Sequence, residues 1–184
     1  MSIFDAISSG DAAGVAELIR NDPSSAAERT PEGVSCVSFA MYHGKREIAH
    51  LIASERADLD IHEACAVGNE HRVRALLYGH PGLARELSPD GFAPVALAAY
   101  FGHPAIVQAL IDGGADVNAQ AKNPMKVAAI HAAVSARNLQ CVEILLRHGA
   151  DPNLKQQQDL TPLQAAQHNH DEPIIKALKA HGAH

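Results

Sequence analysis

Aromatic residues are scarce in this chain, at 4% of 184 positions with no Trp. A core without large rings must be filled by Ala, Leu, Ile and Val, and with 47% of residues apolar the many small side chains favour helices in close approach. Basic runs are also missing. Nothing longer than Lys45-Arg46 occurs, and the formal net charge is −6 with 12 His, so the chain lacks the basic stripe that phosphate contacts require. This excludes nucleic acid as the expected partner. Cysteine is rare and odd in number: Cys36, Cys65 and Cys141 have no short spacing, which excludes a disulfide framework and a zinc motif. Each lies among apolar neighbours, as reduced core residues do in a reducing compartment. No stretch is long enough to span a membrane, and the opening MSIFDAISSGD has neither the positive region nor the apolar run of a secretory signal. A soluble cytoplasmic protein is expected.

Catalytic patterns are absent as well. No nucleophile elbow, Cys-His motif or glycine-rich phosphate loop occurs, and the pairs Asp5/Asp11 and Asp112/Asp116 fall at helix ends, where carboxylates cap or stay solvated. The expectation is a non-enzyme without cofactors or metal.

What is present is one unit used repeatedly. Residues 90–118, DGFAPVALAAYFGHPAIVQALIDGGADVN, read as a turn, an Ala-rich helix ending at Gly102 and a second helix ending at Gly113-Gly114. The order recurs at 130–153, IHAAVSARNLQCVEILLRHGADPN, and at 161–183, TPLQAAQHNHDEPIIKALKAHGA. Thr161-Pro162-Leu163 starts a helix, with a hydroxyl to cap free amides and a proline suited to the first turn. Ala98-Ala99 and Ala132-Ala133 keep one helix face thin for close stacking. Ile106-Val107, Ala109-Leu110-Ile111 and Val142, Ile144-Leu145-Leu146 place apolar groups at helical spacing on the second helix. In these residues the chain resembles the ankyrin repeat.

The first half is more divergent but follows the same template. Residues 22–52 align without a gap on 80–110, an offset of 58, with Pro23, Glu28, Pro31, Gly33, Val37, Ala40, Tyr42, Gly44 and Ile48 matched identically. First helices are expected to begin near Ile3, Ser35, Leu59, Ala93, Ala128 and Thr161, so the intervals between the last five are 24, 34, 35 and 33 residues. The usual period is about 33. The 24-residue interval leaves no room for a finger between repeats two and three, which predicts a tight connection there. NPMKVAAIH, replacing the expected motif before repeat five, predicts an irregular finger. The repeats are expected at about 1–29, 30–53, 54–87, 88–120, 121–155 and 156–184, in one domain. The proline spacing and the NPM segment are similar to those of small, free-standing bacterial ankyrin proteins.

The resemblance implies an all-α ankyrin-repeat solenoid of about six helix-turn-helix repeats with short β-turn fingers. It further implies that fingers and first helices form a concave face that holds a partner protein. Variable positions are the finger tips and the two residues before the glycine closing each first helix. The candidate partner-binding residues on these positions are Tyr42, His43, Pro89, Asp90, Phe92, Tyr100, Phe101, Met125, Leu160 and His168. Three of the chain's seven aromatic residues, Phe92, Tyr100 and Phe101, belong to repeat four. Such rings can anchor a partner; they can equally fill the gap between repeats or cover the seam left by the missing finger. His131 and His62 occupy the family's TPLH position, where the ring bonds within and between repeats, and His103 and His148 stand at packing or capping positions. Proximity of His131, His168 and His170, or of His181 and His184, is therefore not expected to make a metal site. The expected role is protein binding by a monomer. Self-association as a scaffold is the second reading, through a first repeat whose Met1, Ile3 and Phe4 have almost nothing before them to shield them. The polar residues Gln167, His168, His170, Asp171, Glu172 and Lys176 suit a capping face on the last repeat.

Overall fold

The computed structural model describes residues 2–184. Six inner helices alternate with six outer ones. The inner set is α1 (Ile3–Ser9), α3 (Cys36–Tyr42), α5 (Ile61–Val67), α7 (Pro94–Phe101), α9 (Ala129–Ser135) and α11 (Pro162–His168). The outer set is α2 (Ala12–Asn21), α4 (Arg46–Ser54), α6 (Glu70–Gly79), α8 (Pro104–Asp112), α10 (Leu139–Arg147) and α12 (Glu172–Ala180). Helices this short are marginal alone, so caps and packing hold them. Ser2 with Asp5, Asp60 with Glu63 and Thr161 with Gln164 form reciprocal capping boxes at α1, α5 and α11. At the far end of α5, Gly68 adopts φ 76°, and a methyl group there would lie 2.5 Å from the His103 ring. Both the backbone and the neighbour therefore require glycine at this position.

The inner helices stack in one unbroken row, α1 to α11 in order. Fully buried Ala98, Ala99 and Ala133 keep that row tight, while Ile52, Leu110, Leu145 and Leu178 from the outer helices fill the space behind. The outer row is interrupted. α2 packs on α4, and α6, α8, α10 and α12 pack in series, but α4 turns its contacts to α5. The interruption coincides with the short connection expected from the 24-residue interval. The helix following it begins at Ile61 with Asp60 as its cap, two residues later than the Leu59 start read from the sequence.

A charged network occupies this joint. Arg56 Nη1 donates to Glu63 Oε1 at 2.6 Å, with both side chains almost wholly buried, and Arg56 Nε reaches Asp58 at 3.0 Å. Glu63 Oε2 accepts the Asp60 amide at 2.9 Å, Arg29 donates to Asp60 at 2.8 Å, and Arg72 donates to the Leu59 carbonyl at 2.8 Å. Despite burial, which opposes it, the Glu63 amide and Arg29 hold the Asp60 carboxyl below the usual carboxylate range.

Elsewhere the connections are fingers. The Thr30 and Val34 backbones pair as Ser88 and Phe92 do, at the offset of 58 seen in the sequence. The finger closed by Ala121 and Val127 is two residues longer and contains Lys126 at φ 50°, the irregularity expected at NPMKV. At the first repeat the sequence expectation is corrected. Ile3 is buried and Phe4 is half-buried, its ring edge-on to Phe39 at 5.2 Å, because α3 covers the inner face of α1. Met1 lies outside the described residues.

Candidate functional site

A groove of about 370 Å³ opens on the side formed by fingers and inner helices. Its walls come from four repeats: Tyr42 on α3; Asp90 and Phe92 on one finger; Ala96, Leu97 and Tyr100 on α7. The next finger adds Met125 and Val127, α9 adds Ala132 and Ser135, and Gln156 closes the far end. Repeat three contributes no wall residue. It lacks a finger, and the positions of α5 that match Tyr42-His43 carry the buried Ala66 and Val67. Tyr42 therefore reaches across it to stack on Phe101 of repeat four, with ring centroids 6.0 Å apart and 23° between planes. Without the intervening finger, the neighbouring fingers also meet: a Cβ on Gly33 would lie 3.0 Å from Pro89 Cβ.

The candidate residues thus divide. Tyr42, Asp90, Phe92, Tyr100 and Met125 line the groove together. Phe101 is not among the groove's lining residues. It is buried at 6% exposure, stacked on Tyr42 and edge-on to Tyr100 at 5.1 Å, so it covers the seam instead. His43 folds back along its own helix, its ring 4.1 Å from that of Phe39 and its Nδ1 2.9 Å from the Phe39 carbonyl. Pro89 supports the adjoining finger, while Leu160 and His168 are exposed outside the groove. Ala96, Leu97, Val127, Ala132 and Gln156 are wall residues that no motif indicated. Ser135 stands directly before the closing turn of α9, where the repeat pattern places a variable position.

Exposure sharpens the picture. The large apolar side chains exposed among the described residues are Tyr42 (38%), Tyr100 (50%), Met125 (49%), Leu160 (36%) and Tyr78 (94%), of which only Tyr78 stands on an outer helix. The fingers carrying the groove are tied to one another. The Lys122 amide donates to the Gly91 carbonyl at 2.9 Å, Asn123 Nδ2 donates to the Asp90 carbonyl at 2.9 Å, and the Gln157 amide donates to the Met125 carbonyl at 3.0 Å. Asp90 is fixed further by Ser88, whose hydroxyl donates to its carboxylate at 2.5 Å. Burial of the Tyr42 hydroxyl, with the negative charge of Asp90 beside it, pushes that phenol well above its ordinary pKa.

Three histidines, His62, His103 and His131, serve the scaffold. His131 Nδ1 accepts the Ala128 amide at 3.2 Å, which leaves Nε2 to donate to the Leu154 carbonyl at 2.8 Å. His62 bonds the Glu86 carbonyl at 2.8 Å and His103 that of Ala66 at 3.2 Å. Burial pushes the pKa of both His131 and His103 below the ordinary value. Among the described residues, no three His, Cys, Asp or Glu side chains converge where a metal ion could be held, and no helix is long and apolar enough to cross a membrane. The thiols of Cys36, Cys65 and Cys141 are free and buried, and burial raises the pKa of each, Cys36 to about 11 and Cys141 to about 12.

Comparison with known proteins gives one consistent result. The family model described as ankyrin repeats (3 copies) matches residues 38–121, 61–156 and 119–184. An ankyrin repeat protein of fowlpox virus (strain NVSL) is 35% identical over 95 residues, 51% of this chain and 28% of its own length. The ankyrin repeat, SAM and basic leucine zipper domain-containing protein 1 of Dasypus novemcinctus is 30% identical over 127 residues, 62% of this chain and 27% of its own. The chain thus spans little more than a quarter of either relative.

Proposed function

Since the chain belongs to the ankyrin-repeat family, whose repeats generally mediate binding to protein partners, we propose that it is a non-enzymatic module that holds a partner protein in the groove between its fingers and inner helices. One observation carries this reading: Tyr42, Tyr100 and Met125, three of the exposed large apolar side chains, line a single concave groove. Exposed apolar side chains gathered in one concavity suit an interface, because a partner removes them from water together. The groove's lining includes one acidic side chain, Asp90, and no Lys or Arg, which is unsuited to nucleic acid. The inward packing of Ile3 and Phe4 leaves less apolar surface for self-association through the first repeat, and this supports a monomer as part of the proposal. The buried free thiols suit a reducing compartment, and cytoplasmic residence belongs to it too.

The test is affinity capture from cells that express the protein naturally. Tyr100→Ala with Met125→Ala should abolish a specific captured partner while leaving the helical circular dichroism unchanged. Tyr78→Ala, on an outer helix, should retain it. Equal capture by both variants would place the interface elsewhere.

A further inference from the structure

The groove's chemistry narrows the partner, an inference that rests on the protein-binding reading above. Its wall is apolar apart from a few groups, and three aromatic rings, those of Tyr42, Phe92 and Tyr100, stand in it with Asp90. Lys122 and Lys126 belong to the finger that carries Met125, but both are exposed and neither lines the groove. Asp90 is held in place on two sides, its carboxylate by the Ser88 hydroxyl at 2.5 Å and its carbonyl by the Asn123 amide at 2.9 Å.

Aromatic faces carry negative electrostatic potential, and a fixed carboxylate beside them adds to it. An occupant with only apolar groups would cover Asp90 without a counter-charge, which costs free energy. An acidic occupant would be repelled. A flexible aliphatic stem ending in a cation meets both demands at once: the stem replaces water along Leu97 and Met125, and the head faces the rings and the carboxylate. The chain's net charge of −6 favours the approach of such a segment from a distance.

We propose that the groove seats a lysine or arginine side chain of the partner protein, with its cationic head at Asp90 among Tyr42, Phe92 and Tyr100. The partner is then a protein with an exposed basic residue in an otherwise apolar or neutral segment.

The probes are capped peptides Gly-Ala-Xaa-Ala-Gly in which Xaa is lysine, arginine, norleucine or glutamate, titrated into the isotopically labelled full chain and followed by amide chemical shifts. The lysine and arginine peptides should shift the amides of Phe92, Tyr100 and Met125 and bind about tenfold more tightly than the norleucine peptide. Glutamate should bind worst. Asp90→Asn should remove the preference for the cationic peptides, weakening lysine and arginine binding and tightening norleucine binding, which no longer covers a charge. Tyr100→Leu, a replacement at a half-exposed position, should reduce the same preference while keeping apolar contact. Norleucine binding as tightly as lysine and arginine overturns the cation assignment but leaves the groove a protein-binding surface. An undiminished preference in Asp90→Asn overturns it as well. If no peptide shifts the groove at millimolar concentration, the assignment is also overturned, and the capture experiment with Tyr100→Ala and Met125→Ala decides separately whether the protein-binding reading stands.

Discussion

The two halves of the stack are joined by different means. Between repeats two and three the chain has no finger, and the space holds an ion pair of buried Arg56 and Glu63 with Asp58, Asp60 and Arg29 around it. From repeat four onward the repeats are tied through their fingers, by backbone and amide hydrogen bonds at the surface. The inner row of helices runs through both regions without a break. A repeat stack therefore requires continuity of its inner helices, and the connection beside them can be built from charge or from paired backbone. The two solutions differ in what they expose to failure. A buried ion pair loses much when one partner is removed, whereas a surface hydrogen bond can be replaced by water.

The largest effect should thus come from the joint. Arg56→Met leaves Glu63 buried without its counter-ion and should lower unfolding free energy by about 3–5 kcal/mol in urea titration. Adding Glu63→Leu should restore part of that loss, less the hydrogen bond it takes from the Asp60 amide; a double variant as weak as the single would show that the loss is not that of an orphaned carboxylate. Next is Gly68→Ala, where a left-handed backbone and the His103 ring at 2.5 Å act together; it should cost about 2 kcal/mol or more. Gly44→Ala, at φ 70° with open space around it, should cost about 1 kcal/mol, which isolates the backbone contribution. At the fingers, Asn123→Ala removes the bond to the Asp90 carbonyl and the one accepted from the Met125 amide, and should cost about 1 kcal/mol by thermal melting.

The gentlest effect concerns pH. His131 and His103 have folded-state pKa values below the ordinary 6.5, so the unfolded chain takes up protons first as pH falls. Their contribution is complete above that value and is lost progressively below it. Asp60 has a depressed pKa too, but its contribution persists above the ordinary 3.8 and is lost only at lower pH. Between pH 7 and 5 the unfolding midpoint should therefore fall through the histidine-held second half, and His131→Gln should flatten the slope. A slope unchanged in that variant would assign the acid sensitivity to other groups.

The architecture was legible in the sequence because glycine, Thr-Pro and alanine pairs recur at fixed spacing, and each has a local mechanical role. The missing finger was legible for the same reason, as an interval of 24 residues where the others are near the period. What fills that gap was not. Arg56, Glu63 and Asp60 lie within a few positions of one another and read as ordinary surface charges until α4 turns toward α5. The groove was legible in part. Positions before the closing glycine pointed to Tyr42 and Tyr100, but the same rule included Phe101, because spacing places a residue on a helix without saying which way an adjacent ring is drawn. Phe101 is drawn inward by Tyr42, a residue two repeats away. Val127 and Gln156 were missed because their role depends on a finger of irregular length.

The contact between Gly33 and Pro89 has a consequence for anything that crosses the palm. Along the helices the stack advances by two units between these fingers, while along the tips it advances by one step. The two edges therefore keep different rulers. A partner with a regular repeat of its own can stay in register with the tips or with the helices, but it falls out of phase with one of them at Pro89. Under the proposed reading, such a surface suits a short segment seated at the mismatch itself, where Tyr42 of repeat two meets Asp90 and Tyr100 of repeat four, better than a long periodic one.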